Sequence, residues 1–223
     1  MLQWRSPAPA CGHHGCWHGW TEPWATAPNL VTAVRTLACV ALAVAGAVTQ
    51  SPALLVAGLL CYWVGDVADG ALARRLGQET RQGAALDVVT DRVCSLAFWV
   101  PWAVLHPAVQ GPVALYVLEF AVVDGVLSLL WLAWPLLSCN YVDRVHPLVH
   151  RLNWWPPAKV VNTAGVVVLV VVWPQPVLAV AFLVVMLAVK ATSLVLLVRA
   201  LPAPEPGCAA VAPGWAPSRV PVP

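Results

Sequence analysis

The stretch DVADGALARRLGQETRQGAALDVVTD, residues 66–91, concentrates four aspartates between two long apolar runs. Asp66 and Asp69 are three residues apart, Asp87 and Asp91 four apart. On a helix, either spacing puts both carboxylates on one face. A tight turn around Gly77 to Gln82 makes the two helices antiparallel neighbours, so the four carboxylates converge. Uncompensated, such a group is costly, because like charges repel and each must be desolvated near a bilayer. Divalent cations relieve both costs, and carboxylate oxygens suit Mg²⁺ or Mn²⁺. The small residues fit the same chemistry. Gly70 and Gly83 clear space where a nucleotide or pyrophosphate approaches backbone, Ala73 keeps that face shallow, and Arg74 offers a planar fork to phosphate. In a plainer reading the acids pair with Arg74, Arg75, Arg81 and Arg92 as a solvated loop network. That leaves the conjunction of acids, small residues and spacing without a reason.

The elements that position these residues are membrane helices. Only 10% of the 223 residues are charged, against about 25% in a soluble domain, and the mean hydropathy is +0.76. Six apolar runs long enough to cross a bilayer are predicted near 29–48, 52–75, 83–105, 111–134, 157–174 and 177–199. The turns TQSP, HPAVQGP and WPQP at one side contain no Arg or Lys, whereas Arg5, Arg74, Arg75, Arg81, Arg144, Arg151 and Arg199 gather at the other. The positive-inside rule makes that side cytoplasmic. The expected fold is therefore all-α and integral to the membrane, with six transmembrane helices, both termini cytoplasmic and the acids at the cytoplasmic boundary. Residues 1–27 read as a cytoplasmic, partly disordered or interfacial segment without the apolar core of a signal peptide. Residues 28–200 form the six-helix domain, and 201–223 a Pro-rich disordered tail. The spacing of Cys11, His13, His14, Cys16 and His18 matches no dependable metal pattern. The net charge of +2 gives no sign of nucleic-acid binding.

Asp66-x2-Asp69-Gly70-x2-Ala73-Arg74-x8-Gly83-x3-Asp87-x3-Asp91 resembles the signature of the CDP-alcohol phosphotransferase family, and PNLVTAVR (residues 28–35) resembles its first-helix motif, with Asn29, Thr32 and Arg35 on one face. The resemblance implies transfer of a phosphoalcohol group from a CDP-linked donor to a hydroxyl, with release of CMP. It implies two divalent cations, Mg²⁺ or Mn²⁺, on Asp66, Asp69, Asp87 and Asp91, with Asp91 also the general base. It assigns the nucleotide to Asn29, Thr32, Asp69, Gly70, Ala73, Arg74 and Gly83, and it implies a homodimer. The expected donor is CDP-diacylglycerol, at the cytoplasmic face of a bacterial plasma membrane.

The acceptor is read from residues 140–159, NYVDRVHPLVHRLNWWPPAK. Arg144, Arg151 and Lys159 are candidates for an acceptor phosphate. Arg144 and Arg151 read equally as inner-flank anchors, and Trp154 and Trp155 as interfacial anchors. KVVNTA (159–164) is similar, with one extra residue, to an element of phosphatidylglycerophosphate and cardiolipin synthases. Glycerol phosphate or phosphatidylglycerol is therefore placed ahead of an inositol-type polyol, or of a CDP-amino-alcohol donor with a diacylglycerol acceptor. Lys190 in the sixth run is a candidate counter-ion for Asp124, inside the fourth run, or for Glu119, and a structural ion pair with either is expected ahead of a substrate role. A cation-coupled transporter is the reading from another class. It fits less well, because the acids hug one membrane face and no internal repeat appears.

Overall fold

The fold is seen in a computed structural model that describes residues 4–6, 15–17, 19 and 21–201. The tail from residue 202 on lies outside the described residues, as do Cys11, His13, His14 and His18 of the N-terminal cluster. No strand occurs among the described residues; Cys16 and Leu136 form one isolated antiparallel bridge.

Six helical spans are long and apolar enough to cross a membrane: Ala27–Val48, Pro52–Leu76, Arg81–Leu105, Pro107–Ala133, Pro147–Val172 and Pro176–Arg199. Proline opens most of them, at Pro28, Pro52, Pro107, Pro147 and Pro176. At the first helical turn its missing N–H costs nothing and its φ is already helical. Hydroxyl caps reinforce three starts. Thr26 accepts from the Asn29 N–H, Ser51 from Leu54, and Thr80 from Gly83.

The second span stops at Gly77, whose φ of 61° is left-handed and whose N–H caps the carbonyls of Ala73 and Arg74. Three residues later Thr80 caps the third span. This short connection makes the second and third spans antiparallel. The first span packs against both, and the fourth packs against the sixth. Because the spans alternate in direction, residues 27–35, 66–74, 81–91, 124–133 and 190–199 share one end of the bundle. The far half is filled by Leu55, Leu59, Phe98, Trp99, Trp102, Tyr116, Val166 and Leu183. A second cluster of Leu127, Trp131, Trp134, Val142, Val149, Trp154 and Leu197 backs the near end.

Three details depart from the sequence reading. The fifth span begins at Pro147 rather than near 157. The polar run HRLN forms a short helix, Pro147–Asn153, and Pro156 restarts the helix after Trp155. Trp154, expected as an interfacial anchor, is only 7% exposed and belongs to the near-end core, while Trp155 stays 46% exposed. The short helix carries Trp154 inward against Val149 and Leu197, and burying an aromatic there outweighs its polar neighbours. The fourth span also contains a π-helical turn, Leu118–Asp124, in which both Glu119 and Asp124 are buried.

Candidate active site

The four aspartates meet at the near end, where the first three spans come together. One carboxylate oxygen each from Asp66, Asp69 and Asp87 lies within 4.8 Å of the others. Their environments differ. The side chains of Asp66 and Asp87 are 41% and 39% exposed, whereas Asp69 is 5% and Asp91 18% exposed. The outer pair faces an opening, and the inner pair is enclosed. Asp69 is fixed from the first span, with the Thr32 hydroxyl donating to Oδ2 at 2.6 Å. Asp91 sits one turn deeper along the third span than Asp87.

None of the arginines of the plainer reading pairs with these acids among the described residues. Arg92 turns to the opposite side and pairs with Asp124, which also pairs with Lys190. Of the two candidate partners of Lys190, Asp124 is thus the one it meets. The motif acids instead share Arg35, which reaches all four. Arg35 appeared in the sequence only as part of PNLVTAVR, without a role, because a lone arginine in an apolar helix does not reveal its partners.

A cleft opens beside the acids, and Asn29, Thr32, Asp69, Gly70, Ala73, Arg74, Gly83 and Asp87 line it. Every residue expected to hold the nucleotide thus borders one cavity. Gly83 is tied to its place by space. A Cβ there would sit 2.6 Å from both Asn29 Oδ1 and Thr80 Oγ1. At Gly70 an added Cβ would lie 3.4 Å from the Arg74 guanidinium. The remaining wall is Pro28, Ala84 and residues that the sequence did not single out: Gln78, Glu79 and Thr80 of the connection, with Leu137, Ser138 and Asn140. Gln78 is buried and accepts from the Ala27 N–H through its side chain, tying the connection to the start of the first span. Thr80 was readable as a helix cap; Ser138 and Asn140 carry no local signal.

The three acceptor candidates do not converge. Lys159 reaches the cleft wall, its Nζ donating to Asn140 Oδ1 at 2.9 Å. Arg144 donates to Cys16 Sγ at 3.0 Å, and Arg151 lies over the Trp155 ring. Near this wall the Tyr141 hydroxyl donates to Glu79, and burial together with that carboxylate holds the phenol above its ordinary range. Burial pushes the Cys139 thiol up to about 11 despite the pull of Lys159, so it stays neutral.

The donor set suits a hard divalent cation: carboxylate oxygens, grouped and partly open, with no thiolate or imidazole among them. Four carboxylates against one guanidinium also leave the cluster short of positive charge.

The model of the CDP-alcohol phosphatidyltransferase family matches residues 25–198. Among curated proteins, the phosphatidylinositol phosphate synthase of Mycobacterium tuberculosis is 40% identical over 83 residues, 33% of this chain and 36% of that protein. The CDP-diacylglycerol–inositol 3-phosphatidyltransferase of Rattus norvegicus is 44% identical over 59 residues, 26% of this chain and 25% of that protein. The chain therefore spans about a third and a quarter of the length of these curated relatives. No solved structure matches. With a family match that runs from the first span into the sixth, and with Asp69, Asp87 and the motif's small residues lining one cleft, the chain belongs to the CDP-alcohol phosphatidyltransferase family.

Proposed function

We propose that the chain is a membrane phosphatidyltransferase of phospholipid synthesis. It moves the phosphatidyl group of CDP-diacylglycerol to a hydroxyl of an inositol-type polyol and releases CMP. The observation that carries this reading is the single cleft that joins an acid cluster to a wall of small residues and Arg74.

Gly70 and Gly83 leave room for the pyrophosphate to lie against helix backbone, and Arg74 supplies donors to its oxygens. Thr32 and Arg35 hold Asp69 with its Oδ2 turned inward. Asp66, Asp69 and Asp87, with Asp91, would hold two Mg²⁺ or Mn²⁺ ions, which when bound neutralise the pyrophosphate and the departing phosphate. Asp91, the deeper carboxylate, takes the proton of the acceptor hydroxyl. The acceptor oxygen bonds to the phosphatidyl phosphorus as the bond to CMP breaks. The enclosed position of Asp91 suits a base that must be kept from bulk water.

The acceptor order expected from the sequence is reversed here, because both curated relatives carry inositol in their names. Lys159, at the cleft wall beside Asn140, is the residue for an acceptor phosphate. Glycerol phosphate stays as the second reading on the strength of the KVVNTA element. The clustering of basic residues at the site's end of the bundle supports a cytoplasmic active site.

Purified protein, Mn²⁺ or Mg²⁺ and labelled CDP-diacylglycerol, offered inositol phosphate, inositol, glycerol phosphate and phosphatidylglycerol in turn, tests this. CMP release with the inositol acceptors is expected. Release with glycerol phosphate alone restores the earlier order, and no release with any acceptor sinks the enzyme reading.

A further inference from the structure

The acid cluster holds a cation of its own. Arg35 is 3% exposed, and its guanidinium is laid across the four aspartates. Nε lies 2.9 Å from Asp69 Oδ2 and Nη2 3.7 Å from Asp66 Oδ1, while Nη2 also pairs with Asp87 Oδ1. On Asp91 the fork is concentrated on one atom. Nη1 and Nη2 both donate to Oδ1, each at 3.0 Å, so Arg35 does not engage the second oxygen, Oδ2.

The side chain has little freedom to leave. The Tyr62 ring lies beneath the guanidinium, 5.5 Å from its centre. Gly65 lines the path of the aliphatic stem, where an added Cβ would stand 2.5 Å from Arg35 Cβ and 2.7 Å from Cδ. The residue immediately before the first motif aspartate is therefore a glycine that makes room for Arg35.

We propose that Arg35 is the positioning residue of the general base and a resident cation of the metal cluster. It clamps Asp91 through Oδ1 and leaves Oδ2 to take the acceptor's proton. It also competes with divalent ions for the carboxylates, limiting how tightly the cluster holds them. The proposal rests on the reading of Asp91 as base, but its metal-binding half can be measured without turnover.

The test is Mn²⁺ affinity, read by electron paramagnetic resonance or calorimetry on detergent-purified protein, beside kcat and donor KM, for Arg35→Met, Arg35→Lys and Gly65→Ala. Arg35→Met should bind Mn²⁺ at least about tenfold more tightly, as expected for loss of a unit positive charge near a divalent ion. Its kcat should fall about a hundredfold, with donor KM little changed, as for a misplaced catalytic group. Arg35→Lys keeps the charge without the fork. It should return Mn²⁺ affinity to the wild-type level while kcat stays at least about tenfold low. Gly65→Ala, which crowds the stem with the charge intact, should show that same pattern. Should Arg35→Met fail to fold, the other two variants carry the test. Unchanged or weakened Mn²⁺ binding in Arg35→Met, or wild-type kcat in Arg35→Lys, overturns the proposal. Absence of CMP release by the wild-type protein overturns the enzyme reading instead and leaves the Mn²⁺ comparison intact.

Discussion

Two clusters of charge are buried in the same bundle, and they are built on opposite plans. Between the first three spans, four carboxylates share Arg35, and two of them, Asp69 and Asp87, line a cleft. Between the third, fourth and sixth spans, Asp124 is held by Arg92, Lys190 and Ser128. The second cluster has cations enough for its acid, and Glu119 lies buried nearby on the same span. It is satisfied from within and works as a tie between spans. The first is short of positive charge and open to one side, which suits ions and an anionic substrate arriving from outside. Neighbouring residues of one helix serve the two plans, since Asp91 faces the first and Arg92 the second.

The comparison breaks most sharply at Asp87. Asp87→Asn removes an outer carboxylate of the proposed metal site, and CMP release should drop by at least about a thousandfold, with Mn²⁺ binding weakened in calorimetry. Near-normal turnover would remove the metal from the open cluster's account. Asp91→Asn should lower kcat by about 10²–10⁴-fold while labelled CDP-diacylglycerol still binds; equal loss of donor binding would make Asp91 a ligand and no base. In the closed cluster, Asp124→Asn leaves two buried cations without their acid and should cost about 3–5 kcal/mol, seen as a lowered Tm. Replacing Asp124 and Lys190 together by Leu and Met removes one of the two orphaned cations but leaves Arg92 without its acid, so only part of that loss should be recovered. Mn²⁺ affinity in the folded variant should stay at the wild-type level, and a large change there would join the two clusters functionally. The smallest effect is expected for Lys159→Ala, with acceptor KM raised about tenfold, in line with one charge-assisted hydrogen bond, and donor KM unchanged. Equal shifts in both constants return Lys159 to an anchoring role.

Much of the open cluster was legible from spacing alone. Helical periodicity put Asp66 with Asp69 and Asp87 with Asp91, and the Gly77 turn folded one pair onto the other. The apolar runs between charged ends placed the six spans to within a few residues, except the fifth. There the HRLN polarity hid a helix whose Val149 and Trp154 face inward. What stayed hidden were partners brought from a distance. Arg35 meets Asp91 across 56 positions, and Asn140 reaches the cleft from a segment with no periodic signal. Arg144 and Arg151 read equally as phosphate residues and as inner-flank anchors, because charge at a membrane flank has the same composition whatever it faces. Only the contacts with Cys16 and Trp155 tell them apart from Lys159.

The π-helical turn Leu118–Asp124 has a consequence for how this span tolerates change in length. In an unbroken α-helix, residues five apart point about 140° away from each other; bonding from i to i+5 brings them back toward one side. The turn therefore holds a surplus residue, a local slack in the helical count. Removing one residue between Glu119 and Asp124 would let the turn tighten into ordinary α-helix. The preceding half of the span, with Tyr116 packed against Trp99, would then keep its rotational phase relative to the half that grips Arg92. The same deletion made in a plain α-helical stretch would have no such slack to absorb it.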